Sequence, residues 1–406
     1  VTRKEGEMSA LRTRMDSDFS LLTMVPYESK DANGNVRKGY QTYTTSEPRN
    51  IFDKILDGLN RAVLTVAIQL PAKATKAERQ AASQGELFLF GVLEKIDRQL
   101  KARGEPPLRE SLGYYLCARG WCALRALVYM PKGDEDIAFD VVPWDPRHVT
   151  WEQGANGLLW AARKRRATAA QIMVAGSFGK EPTEHNIGHV PVLVASVGSM
   201  PTMQGKDFEG TMEYRGDSVW TASRGTYEPL NKHISRLMDV HEAASVGSMV
   251  YKTEDGTKDL EGNPFQTFKV HKMKLDEVLE HIELPRAPQE TGAILQLLSE
   301  DIARSNLPYP QAYGGTTQPL SGRALAYLGD QTQSVYTPRT GALADAYIWL
   351  AEELFTQFKN KAVAPVMIQG FQADDTFFKA KIQPKDISAD WFIKGTLAPK
   401  LPRDEE

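Results

Sequence analysis

The sequence predicts an α+β protein, and two observations on its 406 residues carry that prediction. Apolar residues recur at helical spacing in an early stretch, 49–119, and again over 227–358. Short runs rich in β-branched and aromatic residues, typical of strands, lie at 121–200 and 363–395. Helical and strand-like segments therefore occupy separate blocks of the chain, and no internal repeat relates them.

The first block begins after a polar stretch, 1–48, which contains the turn signal Asp31-Ala-Asn-Gly-Asn and predicts an extended arm or loose strands. Ser46-Glu-Pro then predicts the start of a helix, and its apolar stripe continues to Pro71 through Ile51, Ile55, Leu59, Ala62 and Val66. The pattern predicts two more helices, near 76–103 and 108–119.

The strand-like block begins at Trp121. The runs 121–130 and 137–144 predict two strands that are joined by a turn at Pro131-Lys-Gly-Asp. Further strand-like runs lie at 158–163 and 190–195. The Gly- and Met-containing stretch 200–218 predicts a loop.

The helical period returns at Tyr227 and predicts a helix to about Gly247. One stripe of it carries Leu230, Ile234, Leu237 and Met238, and another carries Lys232 and Arg236. A charged αβ insert is predicted over 251–286. The next helix, 289–305, should turn Ile294, Leu298 and Ile302 inward.

Asn306-Leu-Pro-Tyr-Pro-Gln-Ala-Tyr-Gly-Gly begins a long loop, because it concentrates residues that break helices and strands. A long helix is predicted over 321–358, and Pro338 should kink or restart it. Strands near 363–395 follow.

Net charge, hydropathy and cysteine content exclude several classes of protein. The net charge of −3 excludes a protein that grips DNA through a general basic excess. No run reaches the ~18 apolar residues of a membrane span, and the charged start of the sequence is unlike a signal peptide.

Cys117 and Cys122 have apolar surroundings, which predicts buried reduced thiols rather than a disulfide or zinc site.

No motif for catalysis is present. The sequence lacks a nucleophile elbow, a Walker loop and a dinucleotide fingerprint. His185 and His189 are four apart, but Asn186-Ile-Gly does not favour the helix that would bring them together on a metal, so a surface or turn role is favoured. We therefore predict no catalytic residue, no metal, no cofactor and no enzymatic activity.

The basic run Arg163-Lys-Arg-Arg166 leaves two alternatives. It would contact phosphates of DNA or RNA, or it would be a solvated strand or a salt-bridged surface between subunits. The second is favoured, because no aromatic residues are interleaved with the run.

Five short motifs and the order of the elements resemble the portal proteins of tailed bacteriophages over about residues 45–406. The motifs are Val142-Pro-Trp-Asp-Pro-Arg-His-Val, Tyr214-Arg-Gly-Asp-Ser-Val-Trp, the stretch from Asn306 to Gly315 with Ser321-Gly-Arg-Ala-Leu after it, Thr337-Pro-Arg-Thr, and Asp390-Trp-Phe with Leu401-Pro-Arg-Asp. Each motif is weak alone, and their order and spacing together are more specific.

The resemblance implies a portal-like division of the chain. An N-terminal arm (1–48) would precede an αβ wing formed by 49–224 and by a long kinked helix with strands, 321–395. Two stem helices, 225–250 and 287–306, would flank a small αβ clip, 251–286, and a tunnel loop would follow at 307–320. A crown would begin at 396–406; since its helices are missing, either the crown is short or the sequence stops before it.

The resemblance also implies a function. Twelve copies would form a ring at one capsid vertex, assembled in the bacterial cytoplasm and retained in the virion. Double-stranded DNA would pass through the ring without sequence specificity during packaging, retention and ejection. Terminase, a head–tail connector and the major capsid protein would be partners, with no membrane involved.

The candidate site residues follow from that division. The tunnel loop would touch DNA through Tyr309, Gln311, Tyr313, Thr316, Thr317 and Gln318. The channel face of the stem would carry Lys232, Arg236, Glu300 and Asp301. The clip would dock partners through Lys269, Lys272 and Lys274.

Charge in the stem, clip and loop suits a conduit. Residues 225–250 hold two cations and three carboxylates, 251–286 hold six and eight, and 307–320 hold none. Repeated around a ring, such a lining would repel phosphate gently and let a duplex slide. The competing hypotheses are another head–tail connector or capsid protein, and a viral nucleic-acid-processing enzyme, whose expected acidic metal cluster is not visible.

Overall fold

The computed structural model describes residues 1–31, 33–37, 39–130, 137–155, 157–166, 187–198, 214–246, 249–252, 278–281, 290–305, 322–361, 365–371, 376–388 and 390–398. The chain divides into two compact units. The first comprises Val1–Thr23, Glu47–Ala222 and Asn306–Glu406, and the second comprises Met24–Ser46 and Ser223–Ser305. Each unit contains both helices and strands, which confirms the α+β class.

The helices are α1 (Thr2–Glu7), α2 (Ser9–Leu22), α3 (Glu47–Arg61), α4 (Lys76–Ala102), α5 (Leu108–Arg119), α6 (Arg224–Val246), α7 (Thr291–Ser305) and α8 (Gly322–Lys361). The strands are β1 (Val63–Gln69), β2 (Trp121–Tyr129), β3 (Ala138–Trp144), β4 (Val149–Gly154), β5 (Gly157–Arg163), β6 (Val192–Ser196), β7 (Met249–Lys252), β8 (Val278–His281), β9 (Val366–Phe371), β10 (Phe377–Ile382) and β11 (Phe392–Ala398). No helix in these described parts is long and apolar enough to cross a membrane.

The described strands form small antiparallel sheets. In the first unit β2 is the centre of the three-stranded sheet β3-β2-β6, and β4 pairs with β5, β9 with β10, and β1 with β11. The β1–β11 pair joins segments far apart in the sequence, with Val63 opposite Ala398 and Gln69 opposite Phe392. In the second unit β7 pairs with β8.

The central strand β2 is covered on both faces because its side chains alternate. Cys122, Leu124, Ala126 and Val128 belong to the main core, together with apolar residues of α4, α5 and α8. On the opposite face, Trp121 and Ala123 pack in a second cluster that includes Met8, Met15 and Trp151. Burial of each large side chain stabilises the fold by about 1.5–3 kcal/mol.

Most of the predicted elements are confirmed. The helices predicted near 76–103, 108–119, 227–247 and 289–305 correspond to α4, α5, α6 and α7, and the strands predicted at 121–130, 137–144, 158–163 and 190–195 correspond to β2, β3, β5 and β6. The long helix predicted over 321–358 is α8, which contains Pro338 and does not restart there. The strand β4 was not predicted.

Two of the predicted secondary-structure elements are wrong. The first part of the segment 1–48, expected to be an extended arm or loose strands, instead folds into α1 and α2, because Leu11, Met15 and Leu22 lie on one helical face and are buried. The helix expected to continue to Pro71 ends at Arg61, and Val66 lies in strand β1 instead. The partner that stabilises β1 as a strand is β11, which a local pattern cannot reveal.

Candidate functional site

The second unit is built around a helical hairpin. The hydroxyl of Thr226, at the start of α6, donates a hydrogen bond of 3.0 Å to the carboxylate of Asp301, near the end of α7. The two packed helices therefore run antiparallel. At the other end of the hairpin, α6 leads towards β7 and β8 leads towards α7, with Met249 opposite His281.

An extended segment, 41–45, lies along one face of α6. The backbone N–H groups of Gln41, Tyr43 and Thr45 donate to Asp239, Ser235 and Asn231, at 2.6, 2.9 and 3.0 Å. The match is geometric: two residues of extended chain advance about 6.6 Å and four residues of helix advance about 6 Å. We call this segment the strap. Sequence reasoning missed it, since polar residues four apart on a helix are also typical of a solvated face.

The strap also engages two carboxylates of α6 in hydrogen bonds. Asp239 accepts from the Gln41 backbone, and Glu242 accepts from the Gln41 side chain at 2.5 Å. These two carboxylates, which sequence reasoning counted in the channel lining, are therefore engaged within the unit. Lys232 and Arg236 are exposed on an adjacent face, four residues apart.

The acidic pair predicted for the stem lies on α7. Glu300 and Asp301 are both exposed; Glu300 accepts from the Gln296 side chain at 2.9 Å, and Asp301 accepts from Thr226. The predicted stem residues thus place two exposed cations on α6 and two exposed carboxylates on α7, and α6 also exposes Glu228 and Glu242. The other predicted site residues, in the loop and the clip, lie outside the described residues: Tyr309, Gln311, Tyr313, Thr316, Thr317, Gln318, Lys269, Lys272 and Lys274.

Large apolar side chains remain exposed on the hairpin. Leu297 is 68% exposed and Ile294 41%, while Leu237 and Met238 on α6 are exposed to 36% and 39%. The prediction that Ile294 turns inward is wrong. The inner stripe of α7 follows Leu295, Leu298 and Ile302, one residue out of phase with Ile294, and only Ile302 is fully buried. Leu237 and Met238 line an open hollow of about 570 Å³ with Gln41, His241 and Glu242.

The glycine of the Tyr214-Arg-Gly-Asp motif has a structural role in the first unit. Gly216 has φ +80° and lies against Gly120 (φ +70°) and the indole of Trp121. The Trp121 ring N–H donates to the Arg215 carbonyl at 2.8 Å. A Cβ atom at Gly216 would lie 2.6 Å from the Gly120 carbonyl oxygen, so this crossing requires glycine.

The Val142-Pro-Trp-Asp-Pro motif forms the corner between β3 and β4. The Asp145 carboxylate accepts from the Arg147 backbone at 2.9 Å, which caps a short 3₁₀ turn over Pro146–His148. Arg119 pairs with Asp145 at 3.1 Å, and Arg147 pairs with Asp16 at 2.6 Å. These contacts tie the corner to α5 and α2, so its role is structural.

A buried polar network joins α8 to β2. The Gln357 amide donates to the Ala126 carbonyl at 2.9 Å and accepts from the Val128 backbone at 2.7 Å. It also donates to Glu353, whose carboxylate lies 2.8 Å from Nε2 of His189. His189 is therefore a surface partner of Glu353, in agreement with the surface role predicted for it; His185 lies outside the described residues.

Both cysteines are buried and free, as predicted. Burial raises the pKa of the Cys117 thiol and of the Cys122 thiol to about 12. A thiol with such a pKa is protonated at neutral pH and unreactive. The described residues contain no cluster of His, Cys, Asp and Glu that could hold a metal ion.

No protein-family model matches the sequence, and a comparison with curated proteins finds no match. Among solved structures, the chain is similar to one from the neck of an empty GTA particle, computed with C6 symmetry. The sequence identity is 13%, the alignment covers 77% of this chain and 79% of that chain, and the TM-score is 0.47. A similarity of this size leaves the function to be argued from the chain's own geometry.

Proposed function

We propose that the chain is the portal subunit of a tailed bacteriophage, a ring-forming channel protein at one capsid vertex. The observation that carries the proposal is the helical hairpin of the second unit, with uncovered apolar side chains on both helices. The order of elements supports it: an αβ part, helix α6, the β7–β8 pair, helix α7, the long helix α8 and further strands. This order is the one that the portal resemblance of the sequence implies.

The exposed apolar residues support a ring of identical copies. Leu237, Met238, Ile294 and Leu297 stand on a hairpin that buries little beyond its own inner stripe. Clusters of exposed apolar side chains are typical of surfaces that another protein covers. The occupant that we propose is a second copy of this chain. Because α6 and α7 differ in their exposed side chains, the two flanks of the hairpin differ, which favours a head-to-tail contact that closes into a ring.

In this proposal the stem charges face the channel or its rim. Two cations and two carboxylates per copy give a nearly neutral lining, which would guide a duplex without holding it. The loop 307–320 would be the constriction and 251–286 would be the clip that docks terminase and head–tail connectors. The ring would contact the major capsid protein in the virion, and it would need no cofactor or catalytic residue.

Electron microscopy of the purified protein tests the ring. We expect annular particles with a central hole in negative stain. The variant Ile294→Ser/Leu297→Ser should remain folded and lose the annuli, because it removes apolar contact area between copies without touching the inner stripe. The matched control is Ala293→Ser, an exposed position on the same helix. Monomers from the wild-type protein would contradict the proposal.

A packaging assay separates a portal from another head–tail connector. Deletion of 311–317 should impair terminase-driven DNA packaging or retention while annuli still form, whereas a connector would leave packaging unchanged. Charge reversal at Lys269, Lys272 and Lys274 should weaken capture of terminase. Normal packaging by the loop deletion would remove the portal assignment and favour the connector.

A further inference from the structure

The basic run of the first unit, which the proposed channel does not use, lies at the edge of a cleft. The open cleft has a volume of about 770 Å³ and is lined by Arg103, Glu105, Arg125, Asp140, Val142, Trp144, Arg163, Arg165 and Arg166. Five guanidinium groups against two carboxylates leave an excess of three positive charges. In a chain whose net charge is −3, this is a strong local concentration of positive charge.

The sheet positions explain why these side chains converge. Arg125 of β2 lies opposite Val142 of β3, so Asp140, Val142 and Trp144 point to the same side as Arg125. Arg125 pairs with Asp140, and Arg103 approaches the same carboxylate at 3.9 Å. Arg163 ends β5. Lys164 pairs with Glu5 at 2.6 Å, while Arg165 and Arg166 line the cleft.

The aromatic partner that the basic run itself lacks is Trp144, on β3. The guanidinium carbons of Arg125 and Arg163 lie 5.8 and 5.6 Å from the centre of its ring. Such cation–π contacts hold a guanidinium in place and leave its N–H donors free for another partner. The two arginines are therefore oriented before any ligand binds.

The positive charge of the cleft is not neutralised within the described part of the chain. There, Arg163, Arg165 and Arg166 make no ion pair, and the buried Nε of Arg125 has no hydrogen-bond acceptor. Desolvation lowers the pKa of Arg163; Tyr115 and Glu105 act to raise it, while the charges of Arg165 and Arg125 act to lower it. Several like charges held close together with unused donors indicate a site that an anion would stabilise.

We propose that this cleft binds phosphate groups of a nucleic-acid backbone. Arginine matches phosphate with paired N–H donors, and all five cations that line the cleft are arginines. Arg163, Arg165 and Arg166 are exposed at its edge, which suits a polymer passing over the surface better than a small molecule enclosed in a pocket. The site reads no base sequence, because its donors recognise charge and phosphate geometry alone.

A covalently closed duplex minicircle is the probe, since it cannot thread into a closed ring and so tests the cleft independently of the proposed channel. We expect the wild-type protein to bind it with an affinity that falls as salt rises. Arg165→Glu/Arg166→Glu should weaken binding at least about tenfold and reduce the salt-dependence slope by about two, one for each lost phosphate contact. Both side chains are exposed, so the fold should be unaffected.

The matched control is Lys381→Glu/Lys385→Glu, which changes the net charge equally at two exposed positions of the same unit. It should bind the minicircle like the wild type. The proposal would be overturned if the Arg165→Glu/Arg166→Glu variant bound the minicircle as tightly as the wild type, or if the wild-type protein did not bind it. Binding of inorganic triphosphate without the minicircle would overturn the nucleic-acid assignment. If the Arg165→Glu/Arg166→Glu variant lost its annuli but bound the minicircle like the wild type, the basic run 163–166 would instead be a contact between copies.

Discussion

The two compact units differ in how completely their long helices are buried. In the first unit, Leu343, Leu350, Leu354 and Phe358 of α8 are almost completely buried. In the second, α6 and α7 bury a narrow stripe and leave Ile294 and Leu297 uncovered, and α6 holds the strap through hydrogen bonds. The first unit thus contains the core that stabilises it, while the second keeps apolar surface that only another molecule would cover. The predictions below test this difference, in order of expected effect on stability.

The largest effect is expected at the glycine crossing of the first unit. Gly216→Ala should lower the free energy of unfolding by about 4 kcal/mol, because φ is +80° and the new Cβ would collide with Trp121 and the Gly120 carbonyl. Thermal unfolding measures this effect. Labelling of Cys117 and Cys122 should also become faster, since their raised pKa and burial protect them only while the unit is folded.

Gly341→Ala is the matched control for that variant. Gly341 lies in α8 of the same unit, and a Cβ there would meet nothing within 4 Å. Alanine should stabilise the helix by about 0.5–1 kcal/mol. Equal effects of the two substitutions would show that the crossing is not a special constraint.

A smaller effect is expected in the network between α8 and β2. Gln357→Leu should cost about 3 kcal/mol, because it leaves the buried Ala126 carbonyl and Val128 N–H without their partner. Chemical denaturation measures it, with Asn360→Leu at an exposed position of the same helix as the control. A loss below about 0.5 kcal/mol would mean that water replaces the amide.

In the second unit, the strap should respond locally. Asn231→Ala removes the acceptor of the Thr45 N–H and should cost about 1–2 kcal/mol. Hydrogen exchange at Thr45 and Tyr43 should accelerate, while amides of β2 in the first unit should be unchanged. Lys232→Ala, at the next and exposed position, should leave exchange as it is. Faster exchange in β2 as well would show that the units unfold together.

The smallest effect on stability is expected at the uncovered surface. Ile294→Ser/Leu297→Ser should change the unfolding free energy of the dissociated chain by less than about 0.5 kcal/mol, since both side chains are exposed. Ile302→Ser, the same chemical change at a buried position of α7, should cost about 3 kcal/mol or more. Similar losses at the two sites would remove the distinction between the inner stripe and the uncovered surface.

The sequence by itself determined the elements whose stability is local. Apolar residues at helical spacing located α4, α5, α6, α7 and α8, because helical periodicity follows directly from which face is buried, and short strand-like runs located β2 and β3. The near neutral charge of 225–250 and the uncharged run 307–320 can also be counted in the sequence alone.

Only the tertiary structure decided the features that depend on distant partners. Residues 63–69 became a strand because β11 pairs with them, and the polar segment 41–45 became a strap because α6 offers acceptors at matching intervals. Ile294 is exposed because the position of α6 selects Leu295 for the inner stripe of α7. Likewise, the five arginines come from three separate parts of the chain, and the Trp144 ring that orients two of them lies nineteen residues before Arg163. Local patterns encode which residues prefer burial, whereas long-range pairing decides what they are buried against.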